Sequence, residues 1–529
     1  MEESQTLKRS PLALLVVGIL SGLLAGIVML CAMAALRIAF GWPTPTELIF
    51  DRLFPKLTVE FFIGSLVKAG GYTPLKLRGV YGATGGQLVV SIIGGVIYAG
   101  RVRRHPGRRD WRFVAIGVVV ATIIVFALLW PNTLTNYAGR PPAIARIISF
   151  CEMLISFGIC GVAIVLFHAL LEPRRPAARD LVGRRRFLAL GIGAACAVLL
   201  TSMLRHLFRI GTFLYDGKQY GGPGVQKITP NEQFYQVSKN LVDPMVARDS
   251  WRLEIVGAVE QPRSWSFAEI TALPAVEQET TLLCIAYGVG SGLCSNALWK
   301  GVPLPTLLEQ VRPKPDIAAV LFHAADGYYE MFRFDKATEP TTLVAYEMNG
   351  AALPQQHGFP LRLITPGLYG EKNPKWLTRL ELLEASDPRL RDKLGFYREQ
   401  GWAREGDEIP IHSRIDAPQV WGDHFAEPFF AGKTSELRGM AFSGDNGISK
   451  VEISTDDGET WDDAQIHQPG SDISWSLWRY EWMPEEPGES QVVVRAYDND
   501  GELQVSEFRD QVPDGATGLH RVRAEVRAA

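Results

Sequence analysis

Histidine and cysteine are scarce in this sequence, which has nine histidines and six cysteines among 529 residues. Its apolar segments offer only His168 and His206, which the topology given below places near opposite faces of a membrane, not as the facing pair that ligates a haem. The cysteines of these segments lack C-x-x-C spacing and are interpreted as small packing residues; they are Cys31, Cys151, Cys160 and Cys196. The apolar part is therefore predicted to be an anchor.

Nucleotide-binding signatures are also missing. Neither G-x-x-x-x-G-K-S/T nor G-x-G-x-x-G occurs with a strand before it and a helix after it, and Gly288–Gly292 lacks that context. From Tyr215 onward the chain carries 30 basic and 48 acidic side chains. This balance argues against nucleic-acid binding, because phosphate contacts need clustered Lys and Arg.

Charge and hydrophobicity divide the chain at about Tyr215. Before it the net charge is +15, from 24 basic and 9 acidic residues, and after it the net charge is −18. The hydrophobic share of 47% is high for a soluble protein and low for one wholly within lipid, so two regimes are averaged. The polar remainder of roughly 315 residues is long enough for two domains with their own cores.

Five segments are apolar over about 20 residues, the length at which an α-helix crosses ~30 Å of hydrocarbon. They are roughly 11–36, 80–99, 113–130, 145–171 and 187–205. Arginine-rich loops at 101–112 and 174–186 belong in the cytoplasm by the positive-inside rule. Residues 1–210 are therefore predicted to form an all-α transmembrane bundle, with the N-terminus in the cytoplasm and everything after about 206 outside. The interrupted stretch Phe54–Lys76 is predicted to be an external amphipathic or re-entrant piece.

The fifth apolar segment begins at Gly183-Arg184-Arg185-Arg186-Phe187-Leu188. This run resembles a twin-arginine export signal, R-R-x-F-L, placed internally. The alternative is that the arginines only anchor the helix end on the cytoplasmic side. Export by a twin-arginine route would move an already folded domain with its cofactor inserted.

Beyond the apolar part the sequence predicts a linker and two domains. A Gly-rich linker at 211–228 leads to an α+β domain at 229–400, with a strand from Trp251 and helices at Ser266–Leu273 and Leu304–Val311. From 401 to 515, strands separated by Asp457-Gly458 and Asp500-Gly501 turns predict an immunoglobulin-like β-sandwich. Residues 516–529 are predicted to be a tail.

Several blocks of the polar half form one ordered series. They are Thr229-Pro-Asn231-Glu-Gln-Phe-Tyr235, Thr281-Leu-Leu-Cys284-Ile-Ala-Tyr, Asn296–Leu304, Ala345–Gly350 and His357–Leu377. In this order they resemble the entry motif, the molybdenum-binding segment and the cofactor-phosphate segment of the sulfite oxidase family of molybdopterin enzymes. The resemblance covers about 225–510 and implies that the cofactor is molybdenum with one molybdopterin.

Cys284 is the residue that this resemblance identifies as the catalytic metal ligand. Molybdenum needs soft sulfur ligands, and a thiolate between an apolar strand and a Gly-rich turn can point into a crevice. On composition alone, a buried cysteine that acts as a small hydrophobe is the simpler interpretation, but the surrounding match favours the ligand. Cys294, on the glycine-rich insertion, is interpreted as an ordinary thiol.

The resemblance also implies the residues that hold the cofactor. Arg362 offers a bidentate fork for a phosphate, the nearby lysines offer point charges, and Gly370 lets the backbone approach closely. Solvated surface charge is the alternative for the basic residues, and an Asp-Gly turn is the alternative for Asp326. The complete predicted set is Asn231, Tyr235, Lys239, Asp326, His357, Arg362, Gly370, Lys372 and Lys375.

Three departures from the family concern the arginines that recognise an anionic substrate. No arginine follows Cys284 closely, Lys239-Asn240 stands where the family has Arg-Asn-His, and Ser443–Ile448 replaces a glycine run that ends in arginine. Lys239 offers one charge, and further candidates for the pocket mouth are Tyr397, Arg398 and Trp402. We therefore expect sulfite oxidation to be slow or absent and a neutral substrate, such as a sulfoxide, to be favoured.

Together these features predict a membrane-anchored molybdenum oxidoreductase that performs two-electron oxygen-atom transfer on a small substrate at the extracytoplasmic face. Expected partners are membrane lipid, an electron-transfer partner (a cytochrome or a quinone-linked protein) and a second copy of the chain bound through the C-terminal sandwich. The alternatives are a sulfite dehydrogenase and a cofactor-free binding module on a membrane anchor.

Overall fold

A computed structural model describes residues 11–53, 65, 68–69, 72–104, 110–130, 133, 142–172, 179–210, 225–238, 243–244, 246–390, 408–511 and 515–529. These residues form two compact units. The helices up to residue 210, together with residues 243 and 244, form the helical unit. Residues 225–238 and those from 246 onward form the globular unit.

The helical unit is built from long apolar helices. Its described helices are α1 (Pro11–Phe40), α2 (Pro45–Leu53), α3 (Tyr72–Arg104), α4 (Trp111–Leu128), α5 (Pro142–Leu171) and α6 (Arg179–Ile210). Five of these, all except the short α2, are long and apolar enough to cross a membrane. The predicted number of such helices is confirmed, with α3 beginning earlier than expected. The Phe54–Lys76 piece lies largely outside the described residues, but its last residues belong to α3.

Close packing in the helical unit depends on glycine. A Cβ at Gly22 would collide with the backbone of α3, and one at Gly95 would collide with the backbone of Gly18 and Gly22 on α1. Small residues of this kind allow helix backbones to approach each other where lipid supplies no hydrophobic driving force. A buried ion pair between Arg37 and Glu47, 2.8 Å apart, ties the end of α1 to α2.

The first part of the globular unit contains two sheets and short helices. Its elements are β1 (Arg252–Gly257), β2 (Arg263–Ser266), α7 (Phe267–Thr271), β3 (Val276–Leu283), β4 (Cys294–Pro303), α8 (Leu304–Val311), β5 (Ile317–Ala324), β6 (Tyr329–Arg333), α9 (Phe334–Ala337), β7 (Leu343–Met348), β8 (Ala351–Ala352), β9 (Arg362–Ile364) and β10 (Leu377–Glu384). The described strands pair in the order β2-β1-β10-β5-β6 in one sheet and β3-β4-β7-β8 in the other, with β9 beside β7. The predicted α+β architecture is confirmed.

Local sequence explains the two short helices that were predicted. Ser266 caps α7 by accepting from the Glu269 amide at 3.2 Å, while the Glu269 carboxylate accepts from the Ser266 amide at 2.7 Å. Helix α8 has the predicted bounds and buries Leu304, Leu307 and Leu308 in the core beneath the first sheet.

The second part of the globular unit is rich in β-structure. Its strands are β11 (His412–Ala417), β12 (Val420–Trp421), β13 (His424–Phe425), β14 (Phe429–Phe430), β15 (Ser435–Phe442), β16 (Lys450–Ser454), β17 (Asp462–Gln468), β18 (Ser476–Trp482), β19 (Gly488–Tyr497) and β20 (His520–Arg527). All of them except β14 form one hydrogen-bonded path, and β14 pairs with β20; their shared core includes Leu437, Trp478 and Val494. The prediction of a tail at 516–529 is wrong, because β20 pairs with β19 from Gly488↔Val526 to Val494↔His520. Val522, Ala524 and Val526 are buried in that core. Their alternation with exposed residues is typical of a strand with one face buried.

Candidate cofactor and metal site

Cys284 directly follows β3 and opens a loop, residues 284–293, that we call the Cys284 loop. The Cys284 amide donates to the Leu293 carbonyl at 3.0 Å, which closes the loop at its base. Leu283 lies opposite Cys294 in the β3–β4 pair, so these two share one face of the sheet. Successive residues of a strand point to opposite faces. Cys284 therefore points away from Cys294, and the two thiols belong to different clusters of buried side chains.

Burial raises the pKa of both the Cys284 and Cys294 thiols to about 12. A buried thiol avoids ionising because the thiolate loses its hydration. Ligation of a metal reverses this preference, since the ion's charge stabilises the thiolate. Burial alone therefore does not distinguish the two cysteines, whereas their neighbours do.

Gly370 lies beside Cys284 and brings Tyr235 with it. A Cβ built at Gly370 would touch the Tyr235 hydroxyl, and it would lie 3.4 Å from the Leu283 carbonyl oxygen and 3.6 Å from the Cys284 Cα. Any side chain at position 370 would fill the space next to the thiol. The structure thus gathers three of the predicted residues in one place.

A second group of predicted residues surrounds Arg362. The His357 Nε2 is 2.7 Å from the Asn231 carbonyl oxygen, and the Arg362 Nη1 donates to the His357 carbonyl at 3.2 Å. The guanidinium carbon lies 5.3 Å from the centre of the Trp299 ring. The Arg362 Nε is buried and has no hydrogen-bond partner within the described part of the chain. A buried guanidinium with an unused donor fits an anionic group such as a phosphate.

Burial shifts the pKa of both ionisable groups in this cluster. It lowers the pKa of His357 to about 3, against a smaller opposing effect of the Asn231 carbonyl, so the imidazole is neutral at pH 7. It also lowers the pKa of Arg362, to about 10, which leaves the guanidinium charged. The cluster therefore presents one buried positive charge beside a neutral imidazole.

Lys375 joins this cluster through a tight turn. Its ammonium donates to the Ser238 hydroxyl and, at 3.2 Å, to the Gln356 carbonyl. Gly358 has φ +118, and a Cβ there would lie 3.0 Å from the Lys375 Cα and 3.2 Å from the Arg362 Cβ. Glycine at 358 thus allows the two cationic residues to approach each other. We call Asn231, His357, Arg362 and Lys375 the basic cluster.

Lys372 has different surroundings from those expected. Its ammonium lies 3.3 Å from the Glu330 carboxylate and donates to the Met331 carbonyl at 3.0 Å, and only 2% of the side chain is exposed. A carboxylate therefore balances the charge that was expected to face a phosphate. The sequence did not show this pairing because Glu330 lies on β6, about 40 residues away.

Asp326 has the turn geometry that was its alternative interpretation. Its Oδ1 accepts from the Tyr328 amide at 2.9 Å, and Gly327 takes φ +77 between β5 and β6. The carboxyl is nevertheless buried. Four other candidates lie outside the described residues, namely Lys239, Tyr397, Arg398 and Trp402.

Sequence reasoning missed the acidic groups near Cys284. The Tyr328 hydroxyl donates to the Glu371 carbonyl at 3.0 Å. Burial raises the pKa of Tyr328, and the negative charges of Glu330 and Glu371 act in the same direction. Glu371 also raises the pKa of Cys284, after burial. Glu371 lies between Gly370 and Lys372, which were both predicted to bind the cofactor. This position in the sequence could have indicated that Glu371 also lies near the site. We call Tyr328, Glu330 and Glu371 the acidic group.

The segment Ser443–Ile448, which was compared with a glycine run that ends in arginine, contains an acidic residue. Asp445 lies against Gly367, and its carboxylate is 2.7 Å from the Lys336 ammonium. Lys336 is buried and also pairs with Glu339 at 2.8 Å. The charge of this lysine is therefore balanced by two carboxylates.

Comparison with known proteins identifies the family. Residues 240–390 match the oxidoreductase molybdopterin binding domain, and residues 408–515 match the Mo-co oxidoreductase dimerisation domain. Uncharacterized oxidoreductase YuiH of Bacillus subtilis is 31% identical over 157 residues, which are 30% of this chain and 74% of that protein. The chain belongs to the sulfite oxidase superfamily of molybdopterin-dependent oxidoreductases. The predicted family is confirmed, and so is its cofactor, molybdenum with molybdopterin.

Other members of the superfamily are more distant or align over a smaller share. Mitochondrial sulfite oxidase of Rattus norvegicus is 29% identical over 323 residues, 52% of this chain and 57% of that protein. The putative protein-methionine-sulfoxide reductase subunit YedZ1 of Azospira oryzae is 34% identical over 153 residues, 29% of this chain and 54% of that protein. The sulfane dehydrogenase SoxCD from Paracoccus pantotrophus shares the fold, with a TM-score of 0.50 and 20% identity over 60% of this chain and 86% of that one. The chain thus spans little more than half the length of the sulfite oxidase from rat.

Proposed function

We propose that this protein is a membrane-anchored molybdenum oxidoreductase that catalyses two-electron oxygen-atom transfer on a small, uncharged substrate at the extracytoplasmic face. The observation that carries the proposal is the neighbourhood of Cys284. The thiol lies beside Gly370 and Tyr235, and the charge that acts on it among the described residues is the carboxylate of Glu371. Negative charge beside the ligand position favours a substrate that does not itself carry negative charge.

The basic cluster would hold the cofactor at its phosphate end. Arg362 and Lys375 supply positive charge, and the Nε of Arg362 is a buried donor available to an oxyanion. His357 is neutral and is fixed against the Asn231 carbonyl, so it would contact the pterin as a hydrogen-bonding group and not as a cation. Cys284 would ligate the metal as a thiolate. When bound, the cofactor supplies the oxygen-atom transfer, and the protein positions and tunes it.

A sulfoxide is the substrate class that this charge distribution favours. Sulfite and sulfate are anions, and the carboxylate of Glu371 would repel them, whereas a sulfoxide oxygen accepts a hydrogen bond without carrying a charge. The sulfoxide reductase name of YedZ1 supports the same class. Steady-state assays of sulfoxide reduction and of sulfite oxidation with an artificial dye, on molybdenum-replete enzyme, test this proposal. Efficient sulfite turnover at micromolar concentration would overturn it and restore the sulfite dehydrogenase alternative.

The molybdenum and pterin contents of the purified protein distinguish the proposed enzyme from a cofactor-free binding module. Molybdenum and pterin analysis of the detergent-purified full chain should give about one of each per chain. A folded protein with neither, when purified from a host that makes the cofactor, would favour the binding module. The buried Nε of Arg362 argues against that outcome, because a buried donor with no partner is costly unless a ligand uses it.

The membrane orientation and the export route are part of the proposal. The two arginine-rich loops support an N-terminus in the cytoplasm and a globular unit outside, and Arg184-Arg185-Arg186 would be read by a twin-arginine receptor. Replacing all three with Lys keeps the positive charge but removes the receptor's signal. The globular unit should then stay inaccessible to protease in spheroplasts, while the first four spans insert normally. Unchanged accessibility would show that these arginines only anchor the helix.

The proposed partners follow from the family and from the reaction. The match to the dimerisation domain supports a homodimer formed through the β-rich part. Electrons would be exchanged with a cytochrome or a quinone-linked protein, and membrane lipid would surround the five apolar helices, whose length and composition suit a membrane. Light scattering of the detergent-solubilised chain, corrected for bound detergent, tests the dimer.

A further inference from the structure

The Cys284 loop has few hydrogen bonds of its own. Besides the closing bond at its base, the Tyr287 amide donates to the Cys284 carbonyl at 2.8 Å, and the Ser291 amide donates to the Gly288 carbonyl at 2.8 Å. Both are short-range turn bonds. They do not fix where the outer part of the loop lies relative to the sheet that carries Cys284.

The β-rich part of the same unit presses on this outer part at three points. A Cβ at Gly288 would meet the Gln511 amide, and a Cβ at Gly290, which has φ +81, would collide with the His520 imidazole. The Tyr287 ring packs edge-on against His412, with 5.2 Å between ring centres. These contacts confine the loop sterically, because at two of the three points a glycine leaves no room for a side chain.

Arg414 makes the directional contact. It lies on β11, is 2% exposed, and its Nη1 donates to the Ser291 carbonyl at 2.5 Å. Its Nε donates to the Asp416 Oδ1 at 2.6 Å, and Asp416 lies where the pairing of β11 with β15 shifts register. A planar guanidinium held from one side by a carboxylate has a fixed orientation, and it passes that orientation to the carbonyl it contacts.

Stability does not account for this buried pair. Moving two charges out of water is costly, and apolar side chains of similar volume are often as stable or more stable. The Asp416 Oδ2 is buried and has no hydrogen-bond partner among the residues that the structure describes, which adds to the cost. Because the pair also balances its own charge, Arg414 is poorly suited to bind an anionic substrate. The pair instead fixes the position of the Ser291 carbonyl, which accepts from Arg414.

We propose that Arg414, oriented by Asp416, is a positioning residue that fixes the Cys284 loop and thereby the direction of the Cys284 thiolate. It acts through the Ser291 carbonyl and does not touch metal or substrate. The inference rests on the proposed role of Cys284 as the metal ligand. It assigns to the β-rich part of the chain a role in tuning the metal, beyond any role in dimerisation.

The decisive variant removes both charges together. Arg414→Met with Asp416→Asn, made in the full-length holoenzyme in detergent, leaves no uncompensated buried charge, so the protein should fold and keep normal molybdenum and pterin contents. The thiolate-to-molybdenum charge-transfer absorption band should shift, and kcat should fall roughly tenfold to a hundredfold, the scale of a ligand displaced by about 1 Å, with KM little changed. Arg438→Met is the control, because Arg438 is a half-exposed arginine on β15 of the same part; its band and kcat should match the wild type.

Two outcomes overturn the proposal. One is a charge-transfer band and kcat in the double variant that match the wild type. The other applies if the double variant does not fold: Arg414→Lys keeps the charge but loses the fork, and an unchanged band in that variant contradicts a positioning role. Failure of the proposed function is distinguishable, because it would appear as a band that does not respond to Cys284→Ser.

Discussion

The two ends of the candidate site carry opposite charge. At one end the basic cluster buries the guanidinium of Arg362, brings Lys375 close to it beside Gly358, and keeps the imidazole of His357 neutral. At the other end the carboxylate of Glu371 acts on Cys284, and Glu330 balances the charge of the buried Lys372. Positive charge lies at the end that would hold a cofactor phosphate, whereas Glu371 contributes negative charge beside Cys284. This difference supports the proposal of a bound cofactor together with an uncharged substrate.

The largest effect is expected at the metal end, from the two cysteines. Cys284→Ser should give a folded protein with normal pterin and should lose more activity than the ~10–100-fold that loss of an outer-shell partner costs, because a neutral hydroxyl replaces a soft thiolate. Cys294→Ser, on the opposite face of the sheet, should stay near wild-type activity. Metal content and dye-linked activity of both variants give the measurement. Inactive Cys294→Ser beside active Cys284→Ser would reverse the assignment.

At the basic end, Arg362→Met should weaken retention of the cofactor. A hydrogen bond to a charged group contributes about 1.5–3 kcal/mol, which corresponds to roughly 10–150-fold in affinity. Pterin content after extensive dialysis measures the loss. Glu330→Gln at the acidic end is the matched control and should retain its pterin. Equal loss of pterin from both variants would contradict the proposal that the basic end alone holds the cofactor.

The pH dependence of the free energy of unfolding tests the buried histidines, of which one lies in the basic cluster and two lie beside the Cys284 loop. Burial lowers the pKa of His357 to about 3, of His412 to about 4 and of His520 to about 3. Each residue binds its proton less readily when folded, so its contribution is fully present above the ordinary pKa of about 6.5 and is lost as the pH falls toward 4. Each proton corresponds to about 1.4 kcal/mol per pH unit.

Urea unfolding of the full chain, followed by tryptophan fluorescence between pH 7 and pH 5, measures this slope. His357→Gln should reduce the steepness by about one proton, as should His520→Gln. A variant that leaves the slope unchanged would show that its histidine is not held neutral in the fold.

The smallest effect is expected from changing the charge at the metal end. Glu371→Gln removes one negative charge but keeps the backbone carbonyl that accepts from Tyr328. Sulfite kcat/KM should rise severalfold, about tenfold at most, because one screened charge contributes on the order of 1 kcal/mol. Sulfoxide kcat/KM should change less. A rise of the same size for both substrates would indicate a cause other than charge.

Sequence reasoning succeeded where the determinants are local. The apolar lengths gave the five long helices, the Ser266 cap gave α7, and the apolar spacing of Leu304–Val311 gave the bounds of α8. The ordered blocks also gave Cys284, Tyr235 and Gly370, which the fold brings together.

The failures involve partners that are distant along the chain. The ion pair of Lys372 with Glu330 forms only when β6 folds beside the segment at 370–372. Arg414 and His520 reach the Cys284 loop from strands more than a hundred residues away, and no periodicity in the sequence indicates that contact. The strand at 520–527 was missed because an alternating segment was assigned to a tail on position alone.

The place of His520 has a consequence for biosynthesis. It lies on β20, the last strand along the described chain, and it fills the space beside Gly290 in the Cys284 loop. Gly290 is synthesised long before His520. The nascent chain therefore contains the Cys284 loop before it contains the residue that packs against it. Once β20 pairs with β19, the imidazole closes that side. The surroundings of the Cys284 loop are therefore complete only after the last described strand has paired with β19.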